Sequence, residues 1–418
     1  MGKYFGTDGI RGIANKTLTP EFSYKLGRVL GHVLKENHDV INVLIGRDTR
    51  ISGVMLECAL TAGLLSIGVN VMRLGVVSTP AVAYLTKSLC AQAGIMISAS
   101  HNPYYDNGIK IFGTDGYKIP DDMELAIEDL IDKPDNLDRP INEKIGVVDN
   151  YFEGQHKYLA SIQKTINNKF ENLKIAIDCA NGGTSVLAPH LFANLGAEVL
   201  IINNNPDGIN INCSCGSTDT RALRNFVIEN KADIGFAFDG DGDRLVVIDE
   251  KGNQLNGDYL LYILGSYMSQ KGILNQNAVV STVMSNKGFH KALQDIGIKS
   301  IVTPIGDRNV LDQMLKDNLN LGGEQSGHII YLDYSTTADG LLAAVQLLNV
   351  MAEKKAALSE LTSGIKYYPQ VLENIPVKNK ETILANEEIK NKINDIDNVL
   401  GENGRLLVRP SGTEALIG

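Results

Sequence analysis

Two short strings concentrate residue types that could do chemistry. In Gly94-Ile95-Met96-Ile97-Ser98-Ala99-Ser100-His101-Asn102-Pro103 an apolar run ends in small hydroxyl residues, a histidine and an Asn-Pro pair that stops extended structure. That order delivers Ser100 to the rim of a buried strand, with His101 beside it and Lys110 a short loop away. A serine held there is either a phosphate acceptor or part of an ordinary polar loop, and the string alone does not choose. The second string is Phe236-Ala237-Phe238-Asp239-Gly240-Asp241-Gly242-Asp243-Arg244, in which three carboxylates alternate with glycines between two apolar runs. Like charges so close repel unless a cation sits among them, and the glycines let the backbone curl so that all three converge. Hard oxygen ligands of this kind suit Mg²⁺.

Other readings of the aspartate string fit less well. A calcium loop would need glycine where Arg244 stands, and a β-type run follows instead of more loop. An aspartate-nucleophile phosphatase, with Asp239 as acceptor, leaves the Ser100 loop without a task. A solvated acidic turn is costly at a buried strand end without a cation.

Further along, Gly322-Gly323-Glu324-Gln325-Ser326-Gly327-His328 sets a carboxylate and a hydroxyl on a glycine-flexed loop. Glu324 could accept from neighbouring sugar hydroxyls while Ser326 donates or accepts. His328 is either an acid/base group or a loop histidine, and the string alone reads equally as a turn. Near the end, Arg409-Pro410-Ser411-Gly412-Thr413-Glu414 combines a guanidinium fork, two hydroxyls and an unhindered glycine amide, the parts of a phosphate cradle. Arg11, in Phe5-Gly6-Thr7-Asp8-Gly9-Ile10-Arg11-Gly12, could reach a phosphate, and Arg308 sits on another tight loop.

These strings need elements to hold them. Short apolar runs alternate with helical patterns: Val40–Ile45, Val69–Leu74 and Ala93–Ser98 read as strands, Gly53–Leu65 and Pro80–Cys90 as helices. The rhythm restarts after an acidic, proline-containing stretch near 132–140, with strands at Leu173–Asp178 and Glu198–Ile202. It restarts again after Lys251-Gly252-Asn253, with Tyr259–Met268 helical and Ala278–Val283 extended. Such alternation implies parallel strands covered on both faces. The expected units are 1–150, 151–252 and 253–365, with a more polar tail over 366–418.

The 418 residues exceed one compact core. With 49 acidic against 39 basic residues the net charge is −10, which argues against nucleic-acid or acidic-membrane binding. An anionic substrate must then be drawn by local Arg, Lys or bound metal. The cysteines Cys58, Cys90, Cys179, Cys213 and Cys215 are scattered and read as reduced cytosolic thiols. No apolar run approaches membrane-spanning length, and the N-terminal residues carry no signal core, so a cytoplasmic protein is expected.

Taken in order, the strings at Phe5–Gly12, Ser98–Pro103, Asp239–Arg244, Gly323–His328 and Arg409–Glu414 resemble those of the α-D-phosphohexomutase superfamily, most closely its branch acting on hexosamine phosphates. The resemblance implies an α/β fold: three successive α/β domains with mixed sheets plus a smaller C-terminal α+β domain around a central cleft. It implies that Ser100 carries a phosphoryl group and joins Asp239, Asp241 and Asp243 in holding one Mg²⁺ per chain. Arg244 would steady the phosphoserine, Lys110 would act as acid/base with His101 assisting, and Glu324, Ser326 and His328 would read the sugar. Arg409, Ser411, Gly412 and Thr413, with Arg11, would grip the substrate's own phosphate. The implied reaction interconverts glucosamine-6-phosphate and glucosamine-1-phosphate through a 1,6-bisphosphate, a hexosamine or hexose bisphosphate serving as priming donor. A homodimer is also implied, with neither nucleic acid nor membrane as partner.

The chain departs from the superfamily pattern at Ala415, where proline is usual, and stops at Gly418 before the customary closing elements. The tail domain is therefore expected to be incomplete and the enzyme weak. A mutase acting on neutral sugars, an Asp239 phosphatase and a silent sugar-phosphate binder stand as alternatives.

Overall fold

The structure, a computed structural model, describes residues 2–6, 8–35, 40–371, 373–377, 379–401, 404–409 and 416–417. Seven strands form the first sheet: β1 (Phe5–Gly6), β2 (Gly9–Ile13), β3 (Asn42–Arg47), β4 (Asn70–Val76), β5 (Ala93–Ile97), β6 (Asp106–Gly113) and β7 (Val148–Asn150), in the order β1-β2-β6-β5-β3-β4-β7. The second sheet contains β8 (Lys174–Asp178), β9 (Glu198–Ile202), β10 (Ile234–Phe238), β11 (Leu245–Asp249) and β12 (Gln254–Leu255), ordered β12-β11-β10-β8-β9. In the third, β13 (Ala278–Thr282), β14 (Lys299–Thr303), β15 (Leu321–Gly323) and β16 (Ile329–Tyr331) run in the order β14-β13-β15-β16. Past residue 370, β17 (Ile375–Pro376) pairs with β18 (Leu416–Ile417), beside the helices Lys380–Ala385 and Glu387–Leu400.

The sheets are mixed, as the family resemblance implies, and the helix-strand rhythm accounts only for their parallel pairs. Parallel pairs such as β3 with β5, β8 with β10 and β13 with β15 are joined by helical crossovers. Beside each lies one antiparallel return: β5 to β6, β10 to β11 and β15 to β16. The segments between those partners are too short for a crossover helix, so the chain must turn straight back. These three returns are the Ser100 loop, the aspartate loop and the Glu324 loop.

The helix Gly53–Leu65 and the strand Glu198–Ile202 fall where the residue pattern sets them, and the other expected elements shift by a few residues at their ends. One apolar core crosses the first three sheets, from Leu74 through Phe192 and Phe236 to Leu341 and Leu348. The helix Gly340–Lys354 is buried from Gly340 to Met351. Its two interior amides are satisfied, Gln346 donating to Thr165 Oγ1 (2.7 Å) and Asn349 accepting from Asn168 Nδ2 (2.8 Å). A second cluster fills the other face of the first sheet, between it and the helices Pro20–Lys35 and Gly53–Leu65. Among the described residues no helix is long and apolar enough to cross a membrane.

Candidate active site

Ser100 sits on the β5–β6 return with φ at 51°, a left-handed conformation that a non-glycine residue holds only when its surroundings impose it. The imposing groups are plain. Ser98 Oγ accepts from the Ser100 amide (3.0 Å) and donates to Asp48 Oδ2 (2.6 Å). Arg50, wholly buried and paired with Asp48 at 2.8 Å, donates to the carbonyls of Ser100 (2.9 Å), Asn102 (2.8 Å) and Asp106 (3.0 Å). Asn212, from the second sheet's unit, adds a bond to the Ser100 carbonyl at 2.8 Å. The hydroxyl is left free of backbone ties and donates to Asp239 Oδ2 at 2.6 Å, with His101 Nδ1 at 3.3 Å on its other side.

The aspartate loop meets this serine from the next sheet. Gly240 lies against the Ser100 carbonyl so closely that a β-carbon there would come within 2.5 Å of it, so that position requires glycine. One carboxylate oxygen from each of Asp239, Asp241 and Asp243 lies within 4.8 Å of the others, and all three residues are buried. Asp241 Oδ1 and Asp243 Oδ1 have no hydrogen-bond partner. Buried, unpartnered carboxylate oxygens facing a common point are costly alone and fit a divalent cation. Burial, then the charges of Asp243 and Asp241, push the Asp239 carboxyl well above its ordinary range. A cation at that point would reverse this.

Lys110, on β6, is buried and gives its ammonium to Asp241 Oδ2 (2.9 Å), Asp8 Oδ2 (3.1 Å) and Asp243 Oδ2 (3.3 Å). Burial alone would lower its pKa, but Asp241, Asp8 and Asp243 outweigh it and raise the group well above normal, so Lys110 is held protonated. Asp241 behaves conversely: against the upward push of burial, Lys110 and the Thr79 hydroxyl (2.6 Å) hold it well below the usual range. His101 is pushed down to about 4, first by burial and then by the cations of Arg244 and Arg11, and is neutral at pH 7.

Beside this junction opens a cavity of about 600 Å³. Arg244, Glu324, Gln325, Ser326, Asn256 and Tyr367 are among its walls. Arg244 is half-buried and borders the cavity, and its Nε has no partner, which leaves donor capacity unused. Glu324 accepts from the Gly306 amide at 3.1 Å. His328 bridges to Arg244 through its backbone and lies 3.8 Å from Asp243, so it stands behind the aspartate loop and not on the cavity wall. Arg11 is engaged by Asp8 at 2.6 Å, and Arg308 by the exposed Asp121. Arg409 is half-buried and does not border the cavity, while Ser411, Gly412, Thr413 and Ala415 lie outside the described residues. The five cysteines are unpaired.

Three positioning residues escaped the sequence reading. Asp48 and Arg50 sit in Arg47-Asp48-Thr49-Arg50, a string that reads as an ordinary polar turn. Asp8 lay in a string singled out only for Arg11, yet it ties Lys110, Lys118 (2.6 Å) and Arg11 together. The one signal was a cluster of charges directly after an apolar strand.

Comparison with known proteins agrees along the chain. Models of the phosphoglucomutase/phosphomannomutase family match as alpha/beta/alpha domain I over 2–138, domain II over 151–252, domain III over 256–368 and the C-terminal domain over 372–417. Phosphoglucosamine mutases of Oceanobacillus iheyensis and Anoxybacillus flavithermus are each 57% identical, over the whole of this chain and 94% of theirs. A phosphoglucomutase/phosphomannomutase family protein from Burkholderia thailandensis superposes with a TM-score of 0.80 at 25% identity, covering 100% of this chain and 93% of its own. An Aspergillus fumigatus N-acetylphosphoglucosamine mutase, solved with GlcNAc-6P and magnesium, shares the fold at a TM-score of 0.68 and 15% identity, over 99% and 91%.

Proposed function

The chain belongs to the phosphoglucosamine mutases of the phosphoglucomutase/phosphomannomutase family, and from that premise we propose how its residues divide the work. The enzyme is an isomerase that interconverts glucosamine-6-phosphate and glucosamine-1-phosphate. The observation that carries the division of labour is the Ser100 hydroxyl, 2.6 Å from Asp239 in a buried ring of three carboxylates.

In the proposed cycle Ser100 carries the phosphoryl group. A free sugar hydroxyl attacks its phosphorus, the bond from phosphorus to Ser100 Oγ breaks, and a sugar bisphosphate forms. After the bisphosphate turns, Ser100 Oγ attacks its other phosphate and the monophosphate of the opposite position leaves. Asp239, Asp241 and Asp243, with the phosphoserine, would hold one Mg²⁺, which offsets charge on the transferring group. Lys110, held protonated, would offset charge on the phosphoryl oxygens. Over the first transfer the attacking hydroxyl's proton ends on Ser100 Oγ, and over the second it passes from Oγ to the leaving sugar oxygen; His101, neutral and beside Ser100 Oγ, would relay it. Arg244 brings an unspent guanidinium to the phosphate from the cavity side. Glu324 and Ser326 orient the sugar, and Arg409, Ser411, Gly412 and Thr413 grip its distal phosphate. Priming comes from a hexosamine or hexose 1,6-bisphosphate, and the cytoplasm is the compartment proposed, on the five unpaired thiols.

Phosphopeptide mapping of the purified chain, with a Ser100→Ala control, tests this. The expected result is an acid-stable phosphate on Ser100 that exchanges with added hexose bisphosphate and whose transfer stops when divalent cations are chelated. A labile phosphate on Asp239 would overturn it in favour of a phosphatase. Parallel assays on glucosamine-1-phosphate and glucose-1-phosphate check that the amino sugar turns over faster.

A further inference from the structure

Gln325 stands between the two residues assigned to the sugar, yet its own side chain turns away to the segment that leads to the C-terminal unit. Its amide donates to the Tyr367 hydroxyl at 2.5 Å and to Gln370 Oε1 at 2.9 Å. Both donors of one sugar-loop side chain are thus spent on a single strap of five residues, 366–370. The Tyr367 hydroxyl also accepts from Asn256 Nδ2 at 2.7 Å, and its ring stacks on Tyr259 with centroids 5.3 Å apart and planes 14° from parallel. The strap is seated by Asn286, whose side chain takes the Tyr368 amide (3.0 Å) and gives to the Tyr368 carbonyl (2.9 Å), as a neighbouring strand would. Beyond the strap, the C-terminal unit returns to the same stretch through Arg405, which donates to the Ser285 carbonyl at 3.1 Å.

Gln325, Tyr367 and Gln370 all border the cavity that holds Glu324 and Ser326. Glu324 and Gln325 are half-buried and Ser326 is exposed. The loop's backbone is held by the Gly257 amide on the Gln325 carbonyl and the Leu245 amide on the Gly327 carbonyl, both at 3.0 Å. Gln325 thus shares one held loop with Glu324 and Ser326, and its amide ties that loop to the strap. We infer that Tyr367 is a positioning residue: its hydroxyl, acting through Gln325, couples seating of the sugar to the placement of the C-terminal unit, so that the bisphosphate is retained between the two transfers. The inference rests on the mutase reading above. Neither side chain touches the reacting atoms, and neither carries charge, so the coupling acts on retention and not on the chemical step.

The test compares Tyr367→Phe, which keeps the ring stack and removes only the hydroxyl, with Gln325→Ala and the double variant in the full chain. Two quantities are read: phosphorylation of Ser100 by hexose 1,6-bisphosphate, and the added bisphosphate needed for half-maximal turnover of glucosamine-1-phosphate. Losing a neutral bond of this kind is expected to raise the bisphosphate requirement by about tenfold in each single variant while Ser100 still takes phosphate. The double variant is expected to match the singles, because both remove the same link. A merely structural role would lower turnover or thermal stability without raising that requirement. An unchanged requirement in Tyr367→Phe, or effects that multiply in the double variant, would overturn the inference. Failure of the unmodified chain to take phosphate on Ser100 would instead bring down the mutase reading, and the inference with it.

Discussion

The Ser100 junction and the Glu324 loop are built on opposite plans. At the junction Ser100, Lys110 and the three aspartates are buried, His101 and Arg244 are half-buried, and loops of different sheets touch backbone to backbone. The Thr79 amide, from the first sheet's unit, donates to the Asp241 carbonyl at 2.8 Å. Arg50 and Asp48 add a rigid ion pair behind the serine. At the sugar loop the backbone is tied too, by the Leu245 amide to the Gly327 carbonyl at 3.0 Å, but its side chains are half-buried or exposed, they are anchored by neutral amides and a tyrosine hydroxyl, and a 600 Å³ space lies open beside them. The contrast separates two demands of one reaction. Bond making needs atoms held in fixed relation, whereas a substrate that must turn round needs contacts that can be let go and remade.

The sharpest break of that contrast is Ser100→Ala. It removes the phosphate acceptor and leaves the sugar cavity intact, so turnover should fall by on the order of 10⁴-fold or more while sugar phosphate still binds in calorimetry. Arg50→Ala tests whether rigidity itself matters. It strands Asp48 in the core and frees four carbonyls, those of Ser100, Asn102, Pro103 and Asp106, which should cost about 3–5 kcal/mol by denaturant unfolding. The phosphorylation rate of Ser100 should fall with it, whereas a substitution of Gln325 leaves the unfolding midpoint within about 0.5 kcal/mol.

The sugar side has its own titrating group. Asp258 is pushed up to about 6 by burial, against the donor at the Asn286 amide (2.8 Å). Its folded-state value lies above the unfolded one, so the neutral acid is favoured on folding. That stabilisation is complete below about pH 4 and is lost as pH rises through about 6, at most about 3 kcal/mol at 1.36 kcal/mol per unit. Asp258→Asn should therefore flatten the fall in stability between pH 4 and 7, read from urea midpoints. At the junction, a divalent cation at a hundred times its Kd should stabilise the native chain by about 2.7 kcal/mol, seen as a thermal shift. Asp241→Asn should shrink that shift, and Glu324→Gln should not.

The parts legible in the residues were those where chemistry forces an unusual composition. Alternating Asp and Gly at a strand end has few uses, and hydroxyls followed by His-Asn-Pro after an apolar run mark a strand rim. The helix and strand rhythm was legible for the same reason, because burial on one or both faces leaves a periodic trace. The rhythm alone did not show which returns are antiparallel, although their mark was present: apolar runs such as 93–97 and 108–112 stand too close for a helix between them. Glu57 shows a different limit. It sits in an apolar helix, almost wholly buried, because Arg47 (3.1 Å) and Arg73 (2.8 Å) come to it from β3 and β4. No local pattern announces partners that far along the chain, and the same holds for Arg50 and its four carbonyls.

The contact of Gly240 with the Ser100 carbonyl bears on how such a chain can be recombined. Two loops that meet with no side chain between them tolerate no mismatch in the angle between their sheets. Chimeras exchanging the first sheet's unit alone between relatives would misplace that seam by tenths of an ångström, and chimeras exchanging the first two units together would carry it intact. The portion past the strap at 366–370 is joined through side chains that can adapt, so that crossover point is the one at which swapped segments should most readily give working hybrids.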